Sequence, residues 1–389
     1  MNIALIGSTG SIGQKVLEVV RMWPQKFNVV ALGTRRNVKK LEEQIKEFKP
    51  KVVYIDDLSK KVEGIKILRG CKGIKEICSM EEIDTVIVAV DGYFGIIPSI
   101  EAIRNRKKLL TANKESIFIW GYEIIKEAKK YNTIIIPLDS EHNTVFNIIS
   151  RIGRENVEKI LITASGGPFL KKEIKEFESI SFDMAMEHPN WKMGKIVTIN
   201  SSTMFNKFLE VFEAHIFFEM PISEIKIVIH PQSKIHSMVL LKDGTTWAIW
   251  YKSDMIFPIA SAMFHPGVPN LIDKKQEIDL PCNTSVDFLE PDKERYPILK
   301  LLDIIESTTP LERAIINTAN EIAIELFEQN KIRFIDITNT ILKTFENFNP
   351  TRVNVDINGN LEGLVQNMKE LRSSIERYIK ENLTKTKSF

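Results

Sequence analysis

Asp139 and Glu141 flank Ser140 in the stretch IPLDSEHNTVF, directly after an apolar run and with a histidine beside them. Two explanations compete. Asp139 or Ser140 caps a helix, where acids in the first turn suit the helix dipole. Alternatively, the carboxylates line a metal site at the carboxyl edge of a sheet. A second stretch, NSSTMFNKFLE, sets Asn206 and Glu210 at i and i+4 on one helix face with Lys207 at the flank. An ordinary solvated face explains them on composition alone; their offset from the apolar stripe also fits a cleft wall. A third stretch, ANKES, places Asn113, Lys114 and Glu115 after another apolar run. Hard oxygen donors without Cys or His partners suit magnesium or manganese rather than zinc.

Two further stretches have chemical potential. ITASGGPF puts Ser165 before a glycine pair, where backbone amides could hold a phosphate or simply make a turn. MEHPNWKMG mixes His188, Trp191 and Met193 between charged segments, as in a lid that excludes water or in a plain surface loop. His230, His236 and His265 show no ligand spacing and read as structural.

The elements that must position these residues begin with six apolar runs, at 3–6, 27–32, 52–55, 85–90, 109–111 and 134–138. Each has the look of a buried parallel strand, and helical patterns such as QKVLEVVRMW and VKKLEEQIKEF separate several of them. Such alternation predicts a doubly wound α/β sheet, whose ligands sit beyond the carboxyl ends of the strands. The ANKES and DSE clusters both fall there.

The first strand runs into GSTGSIG and then a helix. Gly7, Gly10 and Gly13 are close to a dinucleotide fingerprint, letting the backbone approach a pyrophosphate at the helix N-terminus. An NAD site usually ends the second strand with an acid; here that strand ends ALGTRRN, with Arg35 and Arg36. Guanidinium groups pair with phosphate, so NADP is the expected cofactor.

Farther on, 159–163 and 224–229 read as strands, KIHSMVLLKDGTTWAIWY as a hairpin turning at Asp243-Gly244, and MFNKFLEVFEAHIFF as a helix. The Pro-punctuated stretch 265–297 reads as a long connection. Beyond it, Thr309, Pro310 and Glu312 form a capping box, and helices expected at 298–305, 310–327, 335–348 and 361–383 make a C-terminal α-helical bundle. The last six residues, TKTKSF, are expected to fray.

Bulk properties limit the function classes. The chain has 389 residues, enough for two or three domains, and its 43% hydrophobic and 27% charged residues read as globular. A net charge of +2 gives no argument for a nucleic-acid partner. The three cysteines, Cys71, Cys78 and Cys282, lack metal or disulfide spacing and fit a reducing compartment. The start has no basic leader, and no apolar run reaches membrane-spanning length, so the expectation is a cytoplasmic protein without a membrane partner.

Taken in order, GSTGSIG, ANKES, PLDSEHN, ASGGPF, HPNWKMG, NSSTMFNKFLE, IHPQSKIHSMV and NTANEIA resemble the 1-deoxy-D-xylulose 5-phosphate reductoisomerase family, from Gly7 to about Ala323. The resemblance implies a homodimeric NADPH-dependent enzyme of the non-mevalonate isoprenoid pathway, using magnesium, manganese or cobalt. Its substrate would be the sugar phosphate 1-deoxy-D-xylulose 5-phosphate, rearranged by retro-aldol and aldol steps and then reduced to 2-C-methyl-D-erythritol 4-phosphate. Asp139, Glu141 and Glu210 would hold the metal. Lys114, Ser140, Ser165, His188, Ser201, Asn206 and Lys207 would meet the substrate, with Trp191 closing over it in a lid spanning 165–195. Thr9, Gly10, Ser11, Ile12, Arg36, Asn37, Asn113, Glu115 and Gly194 would meet the cofactor, beside Gly7 and Arg35 already read from the glycine turn and the second strand.

Three positions depart from the family pattern. Phe208 stands where a glycine is common, Arg35-Arg36 replaces a glycine-and-lysine type of pair, and the segment YKSDMIFPIA opens differently, so no role is assigned there. The organisation expected is an NADP-binding Rossmann-type domain at 1–138, a catalytic α/β domain with the dimer contacts at 139–264, a linker at 265–297 and the bundle at 298–389. Two rivals remain open. A semialdehyde-dehydrogenase type of enzyme would need a cysteine nucleophile in the catalytic domain, where none of the three cysteines falls. A non-catalytic NADP sensor would need the cofactor pocket without the acids, and a metal titration separates the two.

Overall fold

The computed structural model describes residues 1–57, 59–187, 194–274, 276–282, 284–349 and 361–383. Strand β1 (Asn2–Ile6) is buried at every position after its first, on both faces, as a central parallel strand must be. It leads through the glycine turn into α1 (Ser11–Met22), which turns Val16, Leu17, Val19 and Val20 inward. The alternation continues through β2 (Asn28–Thr34), α2 (Val38–Phe48), β3 (Val52–Ile55), β4 (Lys66–Leu68) and α3 (Gly70–Ser79). Then come β5 (Thr85–Val88), α4 (Ile96–Arg104), β6 (Lys108–Thr111), α5 (Lys114–Tyr131) and β7 (Ile135–Pro137).

These seven strands form one sheet in the order β4-β3-β2-β1-β5-β6-β7, with parallel pairing throughout. The order reverses at β1, so the crevice outside the ends of β1 and β5 is the topological switch point where such sheets take their ligands. All six expected strands are present. The seventh, β4, is an edge strand of three residues with only Leu68 buried, too short to leave an apolar run.

Beyond the sheet lie α6 (Ser140–Ile152), β8 (Val157–Ala164), a short α7 (Phe182–Met186), α8 (Lys195–Ser202), α9 (Phe205–Phe218), β9 (Ile225–Ile229), β10 (Ile235–Leu241), β11 (Thr246–Trp250) and α10 (Ile256–Phe264). The chain ends in α11 (Pro310–Glu328), α12 (Phe334–Asn347) and α13 (Leu361–Leu383). Contacts divide these elements into two compact units. The first takes in Met1–Ile160, Ile216–Glu219 and Lys234–Thr284; the second takes in Leu161–His215, Met220–Ser233 and Ser285–Phe389.

In the first unit β10 and β11 pair as the expected antiparallel hairpin, with Gly244 in the turn at φ +86°. Helix α10, almost wholly apolar, joins the core beneath β1 and α1. There the ring of Phe264 meets Trp23 at 4.8 Å and Phe27 at 5.2 Å, both edge-on.

In the second unit α11 begins with the expected capping box. Thr309 Oγ1 accepts from the Glu312 amide at 3.2 Å, and Glu312 Oε2 accepts from the Thr309 amide at 2.7 Å. Arg372 of α13 reaches Glu321 at 3.0 Å and Glu325 at 2.7 Å on α11. One expectation needs correcting. Residues 298–305 are not an α-helix but 3₁₀ turns, Pro297–Asp303 and Ile305–Ser307. Ile298, Leu299 and Leu301 are the buried residues of the first, and turns closed every three residues serve so short an inward patch. Up to residue 296, the expected connection contains no helix or strand among its described residues, only a bridge from Leu289 to Ile229. No described helix is long and apolar enough to cross a membrane.

Candidate active site

At the switch point the glycine turn is shaped by close approach. A Cβ on Gly7, which sits at φ +99°, would lie 2.2 Å from the Ala89 carbonyl oxygen. One on Gly13 would lie 2.1 Å from the Gly7 oxygen. Both positions therefore demand glycine. Gly10 is different: its Cβ would meet nothing closer than 3.5 Å, and no side chain caps α1 there. The amides of the first turn remain available to an anion. Amides of Gly7 and Ser8 both donate to the Gly33 carbonyl at 2.9 Å, tying the turn to β2.

Gly7, Thr9, Gly10, Arg35, Arg36 and Asn37 line one cavity of about 280 Å³. Ser11 and Ile12 begin α1 and are not among its lining residues. Arg35 and Arg36 are exposed, and Arg35 Nε lies 3.6 Å from the Asp56 carboxylate. Asn37 caps α2 by accepting from the Lys40 amide at 3.2 Å. The cavity wall also uses Tyr54, Asp56, Asp91 and Phe94, which sequence reasoning missed. They stand on or just beyond β3 and β5, and only strand order reveals that these ends meet the glycine turn. Burial pushes the Asp91 carboxyl up, with the charge of Arg35 opposing.

Beyond β6, Asn113 is nearly inaccessible and fully engaged. Its amide donates to the carbonyls of Val90 at 2.8 Å and Gly92 at 2.9 Å and to Glu115 at 3.0 Å, while its oxygen caps α5. Gly95 packs so tightly on it that a Cβ there would lie 2.2 Å from that oxygen.

Beyond β7, Asp139 is both a cap and a charged group in the site. Oδ1 accepts from the amides of Glu141 at 3.1 Å and His142 at 3.4 Å, starting α6. Oδ2 forms an ion pair with Lys114, which opens α5. His142 Nδ1 lies 3.2 Å from Oδ1. Ser140 Oγ donates to Glu141. The two clusters at the ends of adjacent strands are thus joined by the Lys114–Asp139 pair. Two hard carboxylates at a helix N-terminus, with no thiolate among them, fit a small divalent cation. The Tyr251 phenol donates to the Ser140 carbonyl at 3.1 Å, and burial, then the charge of Glu141, holds that phenol well above its usual range.

The second unit carries the other candidate residues. In ASGGPF, the Gly167 amide donates to Ser165 Oγ at 3.2 Å. Gly166 and Gly167 both have positive φ, and a Cβ on Gly167 would lie 2.9 Å from Ser202 Cα and 3.0 Å from the Ser201 oxygen. The loop therefore lies against the end of α8, bringing Ser165 and Ser201 into one neighbourhood; Ser201 itself donates to the Val197 carbonyl at 2.9 Å. Gly194 precedes α8 and is exposed.

On α9, Glu210 is fully buried. Lys207 Nζ donates to its Oε2 at 2.6 Å and the Asn206 amide donates to Oε1. The solvated-face reading of these three residues is excluded: Asn206 and Lys207 are buried as well. Phe208 points into the core, its ring 5.6 Å from that of Phe205, so its bulk is absorbed by packing while Glu210 keeps both partners. His230 is buried with Nδ1 3.0 Å from the Asp287 carbonyl. His188 and Trp191, the core of the expected lid, lie outside the described residues, as does TKTKSF. The described part of 165–195 holds a 3₁₀ turn, Ile174–Ser179, and α7.

Comparison with known proteins covers nearly the whole chain. Residues 3–121 match the family described as 1-deoxy-D-xylulose 5-phosphate reductoisomerase, residues 135–218 its C-terminal domain, and residues 252–374 a further DXP reductoisomerase C-terminal domain. The 1-deoxy-D-xylulose 5-phosphate reductoisomerase of Thermodesulfovibrio yellowstonii is 41% identical over 351 residues, covering 88% of this chain and 91% of the relative. That of Clostridium botulinum is 36% identical over 381 residues, covering 95% and 97%. A crystal structure of DOX-P reductoisomerase with NADPH, fosmidomycin and magnesium superimposes with TM-score 0.89 at 32% identity, covering 100% and 99% of the two chains. The Zymomonas mobilis enzyme in complex with NADPH gives 0.83 at 31%, covering 97% and 98%.

Proposed function

Because the chain belongs to the 1-deoxy-D-xylulose 5-phosphate reductoisomerase family, we infer its reaction from that membership and propose how its residues divide the work. The enzyme converts 1-deoxy-D-xylulose 5-phosphate to 2-C-methyl-D-erythritol 4-phosphate with NADPH and a divalent metal, a step in isoprenoid precursor synthesis. The carbon skeleton is rearranged and the product carries two more hydrogens than the substrate, one as hydride and one as proton.

The observation that carries the residue assignment is the cradle at the switch point, where Gly7 and Gly13 leave room only for backbone and the α1 amides lack a side-chain cap. There Gly7, Thr9, Gly10, Ser11 and Ile12 hold the cofactor's pyrophosphate, and Arg35, Arg36 and Asn37 meet the phosphate that marks NADP. Asn113 and Glu115 shape the wall toward the nicotinamide, and Gly194 completes the cofactor's contacts.

Asp139, Glu141 and Glu210 are the proposed metal ligands. When bound, the cation supplies Lewis acidity toward the substrate's ketone and neighbouring hydroxyl, and NADPH supplies the hydride. Lys114, already paired with Asp139, brings a fixed positive charge toward oxygens that gain negative charge during rearrangement. Ser140 and Asn206 orient the sugar hydroxyls. Ser165, Ser201 and Lys207 take the phosphate, whose binding energy positions the reacting carbons. His188 and Trp191 cover the substrate as the 165–195 segment closes, keeping water from the reactive fragments.

The division into 1–138, 139–264, 265–297 and 298–389 is the proposed functional one. We further propose a cytoplasmic homodimer, with the edge strand β11 and the exposed ring of Trp247 as contact surface; light scattering at working concentration tests it, and a monomer overturns it. The decisive assay follows NADPH absorbance. Oxidation should require both the sugar phosphate and metal, stop on EDTA treatment and return with magnesium, manganese or cobalt; a flat trace with all components present ends the assignment.

A further inference from the structure

Tyr251 follows β11 in the segment whose opening departs from the family pattern, and no role attaches to it in the reaction as described. Its surroundings are unusually ordered for a residue at a strand end. The ring stacks on His236 at 4.0 Å between centroids and 13° between planes, and Phe257 covers it at 5.4 Å and 30°. His236 Nε2 also lies 3.1 Å from the Tyr251 carbonyl oxygen, and the Tyr251 amide donates to the Lys234 carbonyl. Ring and backbone are therefore fixed together, so the phenol oxygen, which the Thr144 side chain also meets, is held at one place on the backbone.

That place is the carbonyl of Ser140, at 3.1 Å. Ser140 is buried, and its carbonyl belongs to the peptide that joins it to Glu141. Asp139 grips the same turn from the other side through the Glu141 and His142 amides. The peptide between the two proposed metal-binding carboxylates is thus pinned by its N–H and by its C=O. A carbonyl at a helix start can accept a second donor without losing its helical bond.

We propose that Tyr251 is a positioning residue for the metal site, its hydroxyl fixing the Ser140–Glu141 peptide so that Asp139 and Glu141 present their oxygens without reorganising. The inference rests on the proposed ligand role of those carboxylates. Partners that orient metal ligands change affinity by roughly 10–100-fold when they are removed, with a single neutral hydrogen bond at the low end.

The test uses the full-length protein and Mn2+ alone, titrated by the electron paramagnetic resonance signal of free Mn2+. Tyr251→Phe, which keeps the stacked ring, should weaken Mn2+ binding about three- to tenfold and leave NADPH affinity and melting temperature unchanged. Tyr251→Leu, which also removes the stack, should weaken Mn2+ binding at least as much. Wild-type Mn2+ affinity in Tyr251→Phe overturns the proposal, and so does an equal loss of Mn2+ and NADPH binding, which would mean general loosening. Asp139→Asn separates the two levels of the reading. If it keeps Mn2+ affinity, the ligand role fails and this proposal with it; if it loses Mn2+ while Tyr251→Phe does not, only the proposal falls.

Discussion

Replacing Asp139 separates its two roles. Oδ1 caps α6 and Oδ2 faces Lys114. Asparagine caps a helix about as well as aspartate, so Asp139→Asn keeps the hydrogen bonds to the Glu141 and His142 amides and removes only the charge. The Lys114–Asp139 pair has side-chain exposures of 14% and 15%. Its loss should therefore cost more than the 0.2–1 kcal/mol of an exposed pair and less than the roughly 3–5 kcal/mol of a fully buried one; about 1–2 kcal/mol is the expectation. Asp139→Ala loses the cap as well, adding about 1 kcal/mol. Stability should thus fall in the order wild type, Asn, Ala.

Metal affinity should follow a different order. Both variants lose the anionic oxygen, so both should bind Mn2+ at least about a hundredfold more weakly, since even outer-shell changes reach that scale. Denaturant melts, Mn2+ titration and the NADPH assay read the three quantities on the same proteins. A stability gap between Asn and Ala with equal metal loss in both is the expected pattern. If Asp139→Asn binds Mn2+ and turns over like wild type, Asp139 is a helix cap and the partner of Lys114, not a metal ligand.

Gly13→Ala should abolish NADPH binding, because the added carbon would sit 2.1 Å from the Gly7 oxygen, whereas Gly10→Ala should be tolerated at 3.5 Å; fluorescence titration of NADPH compares them. Arg36→Met should raise the KM for NADPH several-fold and leave that for NADH unchanged, since only the former carries the extra phosphate; equal effects on both would remove Arg36 from cofactor selection. Burial holds the His230 imidazole below its usual pKa near 6.5. The folded state then prefers the neutral ring, so its contribution is complete above about pH 6.5 and fades as pH falls toward the lowered value. Stability should drop from pH 7.5 to 5.5, and His230→Asn should flatten that slope.

What could be read in advance was local. The runs of β1 and β3 are apolar on both faces because parallel strands are covered on both sides, and the glycine turn, the Asp243-Gly244 hairpin and the Thr309 capping box each encode their geometry within a few neighbouring residues. What could not be read was set by distance or brevity. Strand β4 buries one residue, and the 3₁₀ turns at Pro297–Asp303 differ from an α-helix by a single hydrogen-bond step. The walls contributed by Tyr54, Asp56, Asp91 and Phe94 depend on which strand ends lie beside β1, and strand order has no local signature. Phe208 was legible as a departure, but its burial, which makes the bulk harmless to Glu210, is a property of packing.

Two explanations of Asp139, as a cap or as a metal ligand, compete only when each is taken to use the whole side chain. The same field favours both: a helix N-terminus concentrates partial positive charge, which holds a carboxylate there and lowers the cost of crowding a second one, Glu141, into the first turn. Because Oδ1 is fixed by two amides, Oδ2 is aimed before any cation arrives. Lys114 pairs with that oxygen meanwhile, so the turn holds its two carboxylates beside one cation. A ligand that is also a cap loses little conformational entropy on binding its ion, since folding has already ordered it. The position after β7 therefore suits a metal ligand for the same physical reason that it suits a helix start.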